Sequence, residues 1–524
     1  MKLVPRPAST LILMRDGASG PEVLMLQRTQ SAVFLGGAYV FPGGSLDESD
    51  ADPRILKRIR GEAKIPPAPY WVAAVRECFE EAGVLMGVDA RRAESLMHYR
   101  KRPFVELLEN ENLHIPADAI AYYGHWITAP GRPRRFDTRF FLAVAPEGQA
   151  GSHDAMETIH DVWITPREAL ERGARNEIEL VPATQSTLQD LKSFKTAREA
   201  FEAVRARPEP EVNRACWAQG KDGAKLFRRV DPQYFEIHWS DPEETGETTY
   251  DLAPGVPKQL DRWVRRVIAP NPGVMTGPGT NTYFVGNAVI DPGPAIASHV
   301  EKILEQGPVK WILCTHTHQD HSPAATLLKA ATGAQVLGRP APAGQDATFK
   351  PDVVLENGQR IDLGEITLRA IHTPGHASNH LCYLLAETKM LFTGDHVMQG
   401  STVVINPPDG DMRAYLRSLE KLLGEDIAII APGHGYLIGA PHNEVRRLIA
   451  HRLGREKKVV RALAQLGEAS LDELLPVVYD DVPARIHHVA ARSLTAHLDK
   501  LAADGAVRAA GGRFTLVESK AKEA

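Results

Sequence analysis

The densest group of potential metal ligands in the sequence is the segment Thr315–His321, which reads Thr-His-Thr-His-Gln-Asp-His. It follows the largely apolar run 309–314 and precedes Pro323, a residue suited to the first turn of a helix. This arrangement predicts a corner between a strand and a helix. Imidazole and carboxylate ligands favour zinc among the biological divalent cations. The segment therefore predicts part of a zinc site.

Four more residues with metal-ligating side chains lie close after predicted strands, in loops that contain glycine. They are Asp291, His376, Asp395 and His434. Loops at the ends of strands are common positions for functional residues. A single histidine in such a loop is more often a surface or capping residue. Surface or capping roles explain the whole ordered set poorly, because its spacing, order and context would all have to coincide.

The ordered set resembles the signature of the metallo-β-lactamase superfamily, H-x-H-x-D-H followed by a later His, Asp and His, over about residues 256–440. The resemblance implies that seven residues bind two zinc ions: His316, His318 and His376 on the first, Asp320, His321 and His434 on the second, and Asp395 between them. It also implies that Asp320 takes part in catalysis and that Asp291 orients a ligand. The implied chemistry is hydrolysis by water activated between two metal ions.

A second group of potential ligands consists of Glu77, Glu80 and Glu81, at positions i, i+3 and i+4 of a predicted helix with a buried apolar stripe. Three carboxylates on one face repel each other unless a cation lies between them. Clusters rich in oxygen suit Mg2+ or Mn2+. The alternative is a solvated acidic face on a surface helix, and the spacing alone leaves both interpretations open.

The string from Arg76 to Val84 resembles the second half of the Nudix box, and the segment 41–44 supplies its glycine loop. Asp50 stands where the pattern has its first glutamate, and residues 51–68 look like an insertion ahead of the helix. This insertion is similar to the branch of Nudix enzymes that hydrolyses coenzyme A and its esters. The segment 134–141 and Glu157 also resemble that branch.

The Nudix resemblance covers about residues 8–192 and implies cleavage of a nucleoside diphosphate linked to another group. It implies that Glu77, Glu80 and Glu81 hold the metal ions, with Glu80 and Glu81 acting in catalysis. Arg76 would orient the carboxylates, and Glu157 would be an additional ligand or base. Asp50 and the insertion leave two interpretations open, an active Mg2+ or Mn2+ enzyme and an inactive binding module.

Two further segments narrow the choice between branches of the superfamily, and with it the expected substrate class of the zinc half. They are 271–283 and 400–405, which look like the β-lactamase-like protein 2 branch. That branch implies endonuclease action on single-stranded RNA. The seven ligands also suit a thioesterase similar to hydroxyacylglutathione hydrolase, fused to an inactive Nudix module. This second interpretation stays open.

Residues 442–517 predict three helices followed by a two-stranded ribbon, which looks like a winged helix. The first helix carries six basic residues, including Arg452 and Arg455. On the third helix, three residues share one face and could meet phosphates: Arg485, His488 and Arg492. The alternative is a domain that packs as a cap and exposes a solvated basic surface.

These segments together predict a multidomain α+β protein. The expected order is a Nudix-type α/β/α sandwich at 1–205, a linker at 206–255, a metallo-β-lactamase αββα sandwich at 256–441 and a winged helix at 442–524. The linker is predicted from its proline content and its polar run, with a short hairpin at 226–239.

The composition limits the functional classes. The chain has 61 Lys and Arg against 66 Asp and Glu, a net charge of -5, so it is not coated with basic residues for nucleic acid. None of the four cysteines forms a CxxC pair, which argues against a disulfide scaffold. We find no signal peptide and no apolar window of membrane-spanning length, so we expect a cytoplasmic protein without a membrane partner.

The sequence therefore predicts a bifunctional metal-dependent hydrolase. The expected partners are a small nucleotide-linked diphosphate at the Nudix half and single-stranded RNA at the zinc half. A homodimer is left open.

Overall fold

The computed structural model describes residues 3–29, 36–63, 65–153 and 158–517. The chain divides into two compact units, an amino-terminal unit that ends at Cys216 and a carboxy-terminal unit that begins at Trp217. This division falls inside the segment 206–255, for which the composition predicted a linker.

The described part of the amino-terminal unit contains a mixed sheet, a short separate ribbon and helices on both faces of the sheet. Its strands are β1 (Arg6–Gly17), β2 (Gly20–Arg28), β3 (Ala38–Val40), β4 (Gly43–Ser45), β5 (Ile59–Arg60), β6 (Ile115–Pro116), β7 (Ala121–Ile127), β8 (Phe136–Val144), β9 (Thr158–Ile164), β10 (Glu179–Leu180) and β11 (Val212–Arg214). Its helices are α1 (Pro53–Leu56), α2 (Ala68–Ala82), α3 (Ala90–Ser95), α4 (Phe104–Asn110), α5 (Pro166–Ala174), α6 (Pro182–Leu191) and α7 (Ala197–Arg205). Short 3-10 turns lie at Glu48–Ala51, Met97–Tyr99 and Ala117–Ala119.

Strand β1 is the centre of this sheet, whose order is β10-β3-β2-β1-β8-β7-β11, with β4 also paired to β1 and β9 to β2. Successive side chains of a strand point to opposite faces. Leu11 and Leu13 accordingly join the core that contains α2, whereas Ile12 and Met14 join the core that contains Phe201 of α7. The helices therefore cover both faces, which confirms the α/β/α sandwich.

From Cys216 onwards the chain forms two larger sheets, two smaller ones and seven α-helices in the described residues. The strands are β12 (Cys216–Ala218), β13 (Lys225–Phe227), β14 (Lys258–Gln259), β15 (Val264–Ile268), β16 (Asn281–Val285), β17 (Ala288–Ile290), β18 (Trp311–Leu313), β19 (Gln335–Gly338), β20 (Val353–Val354), β21 (Arg360–Asp362), β22 (Thr367–His372), β23 (Leu381–Leu385), β24 (Met390–Gly394), β25 (Ile429–Pro432), β26 (Ala469–Ser470), β27 (Val507–Ala510) and β28 (Arg513–Leu516). The helices are α8 (Tyr234–Ser240), α9 (Ala297–Leu304), α10 (Ala324–Thr332), α11 (Met412–Leu422), α12 (Pro441–Leu466), α13 (Leu471–Val478) and α14 (His487–Ala503), with a 3-10 turn at Ala484–Ile486.

Two sheets pack face to face in the carboxy-terminal unit. The first has the order β14-β15-β16-β17-β18-β19-β20, and the second has the order β21-β22-β23-β24-β25. Tyr283 and Leu313 of the first sheet share one core with Tyr383 and Phe392 of the second. Helices α9 and α10 cover the outer face of the first sheet, and α11 covers that of the second. This is the expected αββα sandwich.

Helices α12, α13 and α14 and a three-stranded sheet form the winged helix, around a core that includes Leu474, Leu494 and Val507. The ribbon predicted from the sequence corresponds to β27 and β28. The sequence analysis missed strand β26, whose two residues are too few to give a periodic signal. No helix in the described ranges is long and apolar enough to cross a membrane.

The segment 206–255 is folded. Strand β11 pairs with β7 of the amino-terminal unit, and helix α8 belongs to the carboxy-terminal unit. The hairpin expected at 226–239 is wrong, since α8 occupies its second half. Phe235 of this helix lies against Gly439, where an added Cβ would be 2.0 Å from the ring.

Glu236 of α8 is the most enclosed charge of this segment, because it is fully buried and accepts hydrogen bonds from Arg266 at 2.7 and 2.8 Å and from Lys258 at 2.7 Å. Burial opposes its ionisation, but Arg266 and Lys258 outweigh that effect and lower the pKa of Glu236 to about 2. The carboxylate therefore stays charged and ties the segment to β15.

We predict that Glu236→Ala destabilises the carboxy-terminal unit by about 3 to 5 kcal/mol, since Arg266 is left buried without its partner. Denaturant unfolding of the full chain measures the change in the free energy of unfolding. Glu247→Ala, an exposed glutamate of the same segment, is the matched control and should change stability by less than about 0.5 kcal/mol. Equal unfolding of the two variants would contradict a role for α8 in the fold.

Candidate functional site

The candidate metal ligands of the carboxy-terminal unit follow the ends of strands. The segment 314–321 follows β18, Asp291 follows β17, Asp395 follows β24 and His434 lies two residues after β25. Strand β17 is parallel to β18, and β24 is parallel to β25, so the loops after the strands of each pair leave at the same edge of their sheet. The topology therefore gathers side chains that are up to 143 residues apart in sequence, from Asp291 to His434.

One group consists of His316, His318 and His376, whose ligand atoms lie within 4.8 Å of one another. His318 Nδ1 is 3.0 Å from Nε2 of His316 and 3.0 Å from Nε2 of His376. Burial lowers the pKa of His318 to about 4, and His376 adds to this effect. Three largely neutral rings that aim nitrogen atoms at one point fit a bound cation.

The second group consists of Asp320, His321, Asp395 and His434. His434 Nε2 is 3.3 Å from Asp320 Oδ2 and 3.4 Å from Asp395 Oδ1, and His321 Nε2 is also 3.4 Å from Asp395 Oδ1. Three of these buried atoms have no hydrogen-bond partner in the described residues: His321 Nε2, Asp395 Oδ1 and His434 Nε2. Buried polar atoms are normally satisfied, so this group also fits a cation.

Asp395 links the two groups. Its Oδ1 faces His321 and His434, and its Oδ2 is 3.7 Å from His376 Nε2 of the first group. Asp395 is therefore the carboxylate that has an oxygen near each of the two groups.

In His321, His376 and His434, the ring nitrogen that points away from the site is hydrogen-bonded to another part of the protein. Asp291 Oδ2 is 2.9 Å from His321 Nδ1, and Asp291 is itself fixed by the backbone N–H and the hydroxyl of Thr315. The carbonyl oxygen of Val404 is 2.8 Å from His376 Nδ1, and that of Gly279 is 3.1 Å from His434 Nδ1. When these Nδ1 atoms donate, the Nε2 lone pairs point into the site.

Charge in the second group is balanced by its own members. Burial opposes a charge on His321, but the carboxylates of Asp320 and Asp395 outweigh it and raise the pKa of His321 well above its usual value. Burial also opposes a charge on Asp395, but His434 and His321 outweigh it and hold the pKa of Asp395 well below its usual value. The carboxylates are therefore charged and attract a cation.

Sequence reasoning did not find the groups that support the loop of His434. Arg266 Nη1 is 3.4 Å from the carbonyl oxygen of Gly435, and Glu236 accepts a 3.1 Å hydrogen bond from the N–H of Leu437. Asn281 Nδ2 donates to the carbonyl oxygens of Pro432 and Gly435, both at 2.9 Å. A buried glutamate in a polar segment carries no sequence signal of this role.

Two buried histidines lie beside the ligand groups. The ring of His380 stacks on His316 with centroids 5.1 Å apart, and His396 lies 5.6 Å beyond His380. The ring of His396 also packs edge-on against Tyr415. Neither residue belongs to a ligand group, and both pack beside the ligands.

In the amino-terminal unit, Arg76 organises the acidic helix α2. Its Nε and Nη2 donate to the two oxygens of Asp50 at 2.8 and 2.9 Å, and its Nη1 donates to Glu77 at 2.8 Å and Glu80 at 3.0 Å. Asp50 is fully buried. The aspartate that departs from the Nudix pattern thus makes a two-pronged ion pair with Arg76.

The glycine loop contacts the other side of these carboxylates. Glu81 accepts a 2.9 Å hydrogen bond from the N–H of Gly43, and a Cβ added to Gly44 would lie 2.6 Å from the Glu77 carboxyl group. Burial raises the pKa of Glu77 to about 7. Among the residues that the structure describes, only the two groups of the carboxy-terminal unit bring three or more candidate ligand atoms within 4.8 Å. Glu157 lies outside the described residues.

The basic residues of the winged helix fall into two kinds. Arg485, His488 and Arg492 are exposed. In contrast, Arg452 is buried and donates to the carbonyl oxygen of Val403, and Arg455 is buried against Asp481. Arg452 and Arg455 of the first helix are therefore used in packing.

Three family models match the chain: the Metallo-beta-lactamase superfamily at residues 275–434, the Beta-lactamase associated winged helix domain at 470–514 and the NUDT19 Nudix domain at 61–191. Thioesterase pkgB of Emericella nidulans is 34% identical over 241 residues, which cover 44% of this chain and 68% of that protein. The Beta-lactamase-like protein 2 homolog of Drosophila melanogaster is 31% identical over 280 residues, 49% of this chain and 93% of that protein. A solved NUDIX hydrolase from Alicyclobacillus acidocaldarius is 28% identical and covers 39% of this chain and 99% of its own, with a TM-score of 0.35.

We predict that the purified chain holds about two divalent transition-metal ions and that His376→Ala and His434→Ala each retain about one, because each removes one ligand from a different group. Elemental analysis after dialysis measures the ratio of metal to protein. Asp395→Ala should weaken the binding of both ions, and His488→Ala, an exposed histidine of α14, should retain both. Wild-type protein free of transition metal would contradict the assignment.

Proposed function

Since this chain belongs to the metallo-β-lactamase superfamily, with a Nudix domain before that domain and a winged helix after it, we propose that it hydrolyses coenzyme A thioesters at two separate sites. Both families resembled in the sequence are confirmed, and the chain is a metal-dependent hydrolase. The carboxy-terminal site would cleave the thioester, and the amino-terminal site would cleave the diphosphate.

The observation that carries the proposal is the pair of adjacent ligand groups with Asp395 between them. Their imidazole and carboxylate donors suit two zinc ions. Such a pair, when bound, would lower the pKa of water and polarise a carbonyl oxygen. The side chain of Asp320 is 27% exposed, whereas that of Asp395, the other carboxylate of its group, is 12% exposed. We assign to it the transfer of a proton towards the leaving thiolate.

The choice of a thioester rests on the chemistry of the substrate. A coenzyme A thioester contains a thioester and a nucleotide-linked diphosphate in one molecule. A relative named a thioesterase matches the carboxy-terminal half, and the sequence of the Nudix half resembles enzymes that act on coenzyme A and its esters. One substrate class thus accounts for both halves, which an RNA substrate does not.

The contacts of Arg76 favour an active Nudix half over an inactive binding module. The Asp50 side chain reaches the guanidinium in two hydrogen bonds, and the same guanidinium holds Glu77 and Glu80 in place. We propose that Glu77, Glu80 and Glu81 bind Mg2+ or Mn2+ and that Glu80 and Glu81 act in catalysis.

We predict that the two activities separate by mutation. His318→Ala should reduce thioester hydrolysis by at least about a hundredfold while diphosphate cleavage with Mg2+ persists, because it removes a ligand of only one site. Glu80→Gln should reduce diphosphate cleavage to a similar extent while thioester hydrolysis persists. Release of free thiol and of the nucleotide product from acetyl-coenzyme A measures the two reactions separately. If the wild type releases neither product, the proposal is wrong.

Endonuclease action on single-stranded RNA is the second candidate, and the position of α14 favours it. Ser493 Oγ of this helix is 3.4 Å from the N–H of Ile405, next to Val404, whose carbonyl oxygen faces His376. The exposed Arg485 and Arg492 lie before Ser493, on the turn that precedes α14 and in its first half. Basic residues there could contact a phosphate backbone.

For this candidate we predict that Arg485→Ala with Arg492→Ala raises the KM for RNA more than it lowers kcat, since phosphate contacts bind substrate and transition state alike. RNA cleavage should weaken steeply with added salt, and less steeply in the double variant. Thioester hydrolysis measured on the same preparations is the control. Equal cleavage of RNA by both proteins across the salt series would leave α14 without this role.

A further inference from the structure

A row of four residues crosses the sheet of the amino-terminal unit in register. Gly44 of β4 pairs with Ser9 of β1, Ser9 with Arg139 of β8, and Arg139 with His125 of β7. Side chains of register partners point to the same face of a sheet. Ser9 Oγ donates to the carbonyl oxygen of Tyr70 at 2.8 Å, so this face is the one covered by α2.

An acidic and a basic group lie at different positions of this row. Glu77 lies against Gly44 at one end, as its 2.6 Å approach to an added Cβ requires. Arg139 stands two strands away, next to His125 at the other end. Neighbouring strands are about 4.8 Å apart, so Arg139 begins roughly 10 Å from the acidic end. A ribose joins a diphosphate on its 5′ carbon to a phosphate on its 3′ carbon across a comparable span.

The guanidinium of Arg139 is held in place but only partly used. It lies over the ring of Tyr70, 4.4 Å from the centroid, and its Nη1 donates to Asp137 Oδ1 at 2.6 Å. Asp137 Oδ1 also meets His125 Nε2, so one carboxylate serves two cationic side chains. Arg139 Nε is buried without a hydrogen-bond partner among the described residues.

These contacts suit a ligand better than a structural ion pair. A buried arginine used only for stability normally has its donors satisfied. Arg139 is 16% exposed and Asp137 is 27% exposed, so the pair is partly open to solvent. A guanidinium fixed by stacking and partly open to solvent is suited to receive a phosphate oxygen.

We propose that Arg139, positioned by Tyr70 and Asp137, binds a phosphate of the nucleotide that is not hydrolysed, the 3′-phosphate of an adenosine 3′,5′-bisphosphate group. This subsite deepens the proposed coenzyme A hydrolysis and rests on it for its biological substrate. It would make the Nudix half select phosphorylated over dephosphorylated nucleotides before any bond is broken.

The first test is binding without chemistry. Calorimetric titration of the full chain, freed of divalent metal, compares adenosine 3′,5′-bisphosphate with adenosine 5′-monophosphate. We expect wild-type protein to bind the bisphosphate about tenfold or more tightly, and Arg139→Met to bind the two equally, since a hydrogen bond to a charged group contributes on this scale. Arg134→Met, in the exposed loop before β8, is the matched control and should keep the preference.

Two further variants separate ligand binding from folding. Arg139→Lys keeps the charge and should keep part of the preference, and Asp137→Asn weakens the hold on Arg139 and should reduce the preference without abolishing it. Thermal unfolding identifies any variant that is not folded. Equal binding of the two nucleotides by wild type, binding of neither, or an undiminished preference in folded Arg139→Met would overturn the proposal.

Hydrolysis then distinguishes this proposal from the proposed function. With Mg2+, Arg139→Met should raise the KM for coenzyme A about tenfold and leave the KM for dephospho-coenzyme A nearly unchanged. Equal effects on both substrates would overturn the subsite and leave the diphosphatase standing. If wild type cleaves neither substrate, the proposed function fails, while the binding preference can still be present.

Discussion

The carboxy-terminal unit is built around one electrostatic constraint, the burial of five imidazoles and two carboxylates in close contact. His318 is neutral because of its burial, while Asp395 stays charged because His434 and His321 lie beside it. Lone pairs and negative charge that face each other in a buried space require cations. The strand ends, the loops and the supporting hydrogen bonds all serve to hold this arrangement.

That constraint explains why the supporting groups lie behind the ligands. Asp291 accepts from His321, and the carbonyl oxygens of Val404 and Gly279 accept from His376 and His434. Each contact fixes which ring nitrogen faces the site. Helix α8 extends this support, because Glu236 joins Arg266 to the loop after β25. A segment outside the matched superfamily region therefore helps to place a candidate ligand.

In the amino-terminal unit, the guanidinium group of Arg76 pairs with clustered carboxylates. Arg76 lies among Asp50, Glu77 and Glu80 and offsets repulsion that would otherwise spread these carboxylates. The residue that departs from the Nudix pattern has a defined role here, since the carboxylate of Asp50 makes a two-pronged contact with Arg76. Both units thus place buried carboxylates beside cationic side chains, although burial still raises the pKa of Glu77.

The sequence by itself determined the two families, the fold class and the seven candidate ligands that the structure gathers, from His316 to His434. These came from local signals: ligand types at fixed spacing, apolar runs that end in glycine loops, and a helical stripe ending at Gly83. Only the tertiary structure decided which groups support them. Any residue has a carbonyl oxygen, so Val404 and Gly279 give no sign of their role. Buried charges such as Glu236 and Arg452 look like surface residues until their partners are known. Those partners are distant in the chain, and only the packing of the strands and helices brings them together.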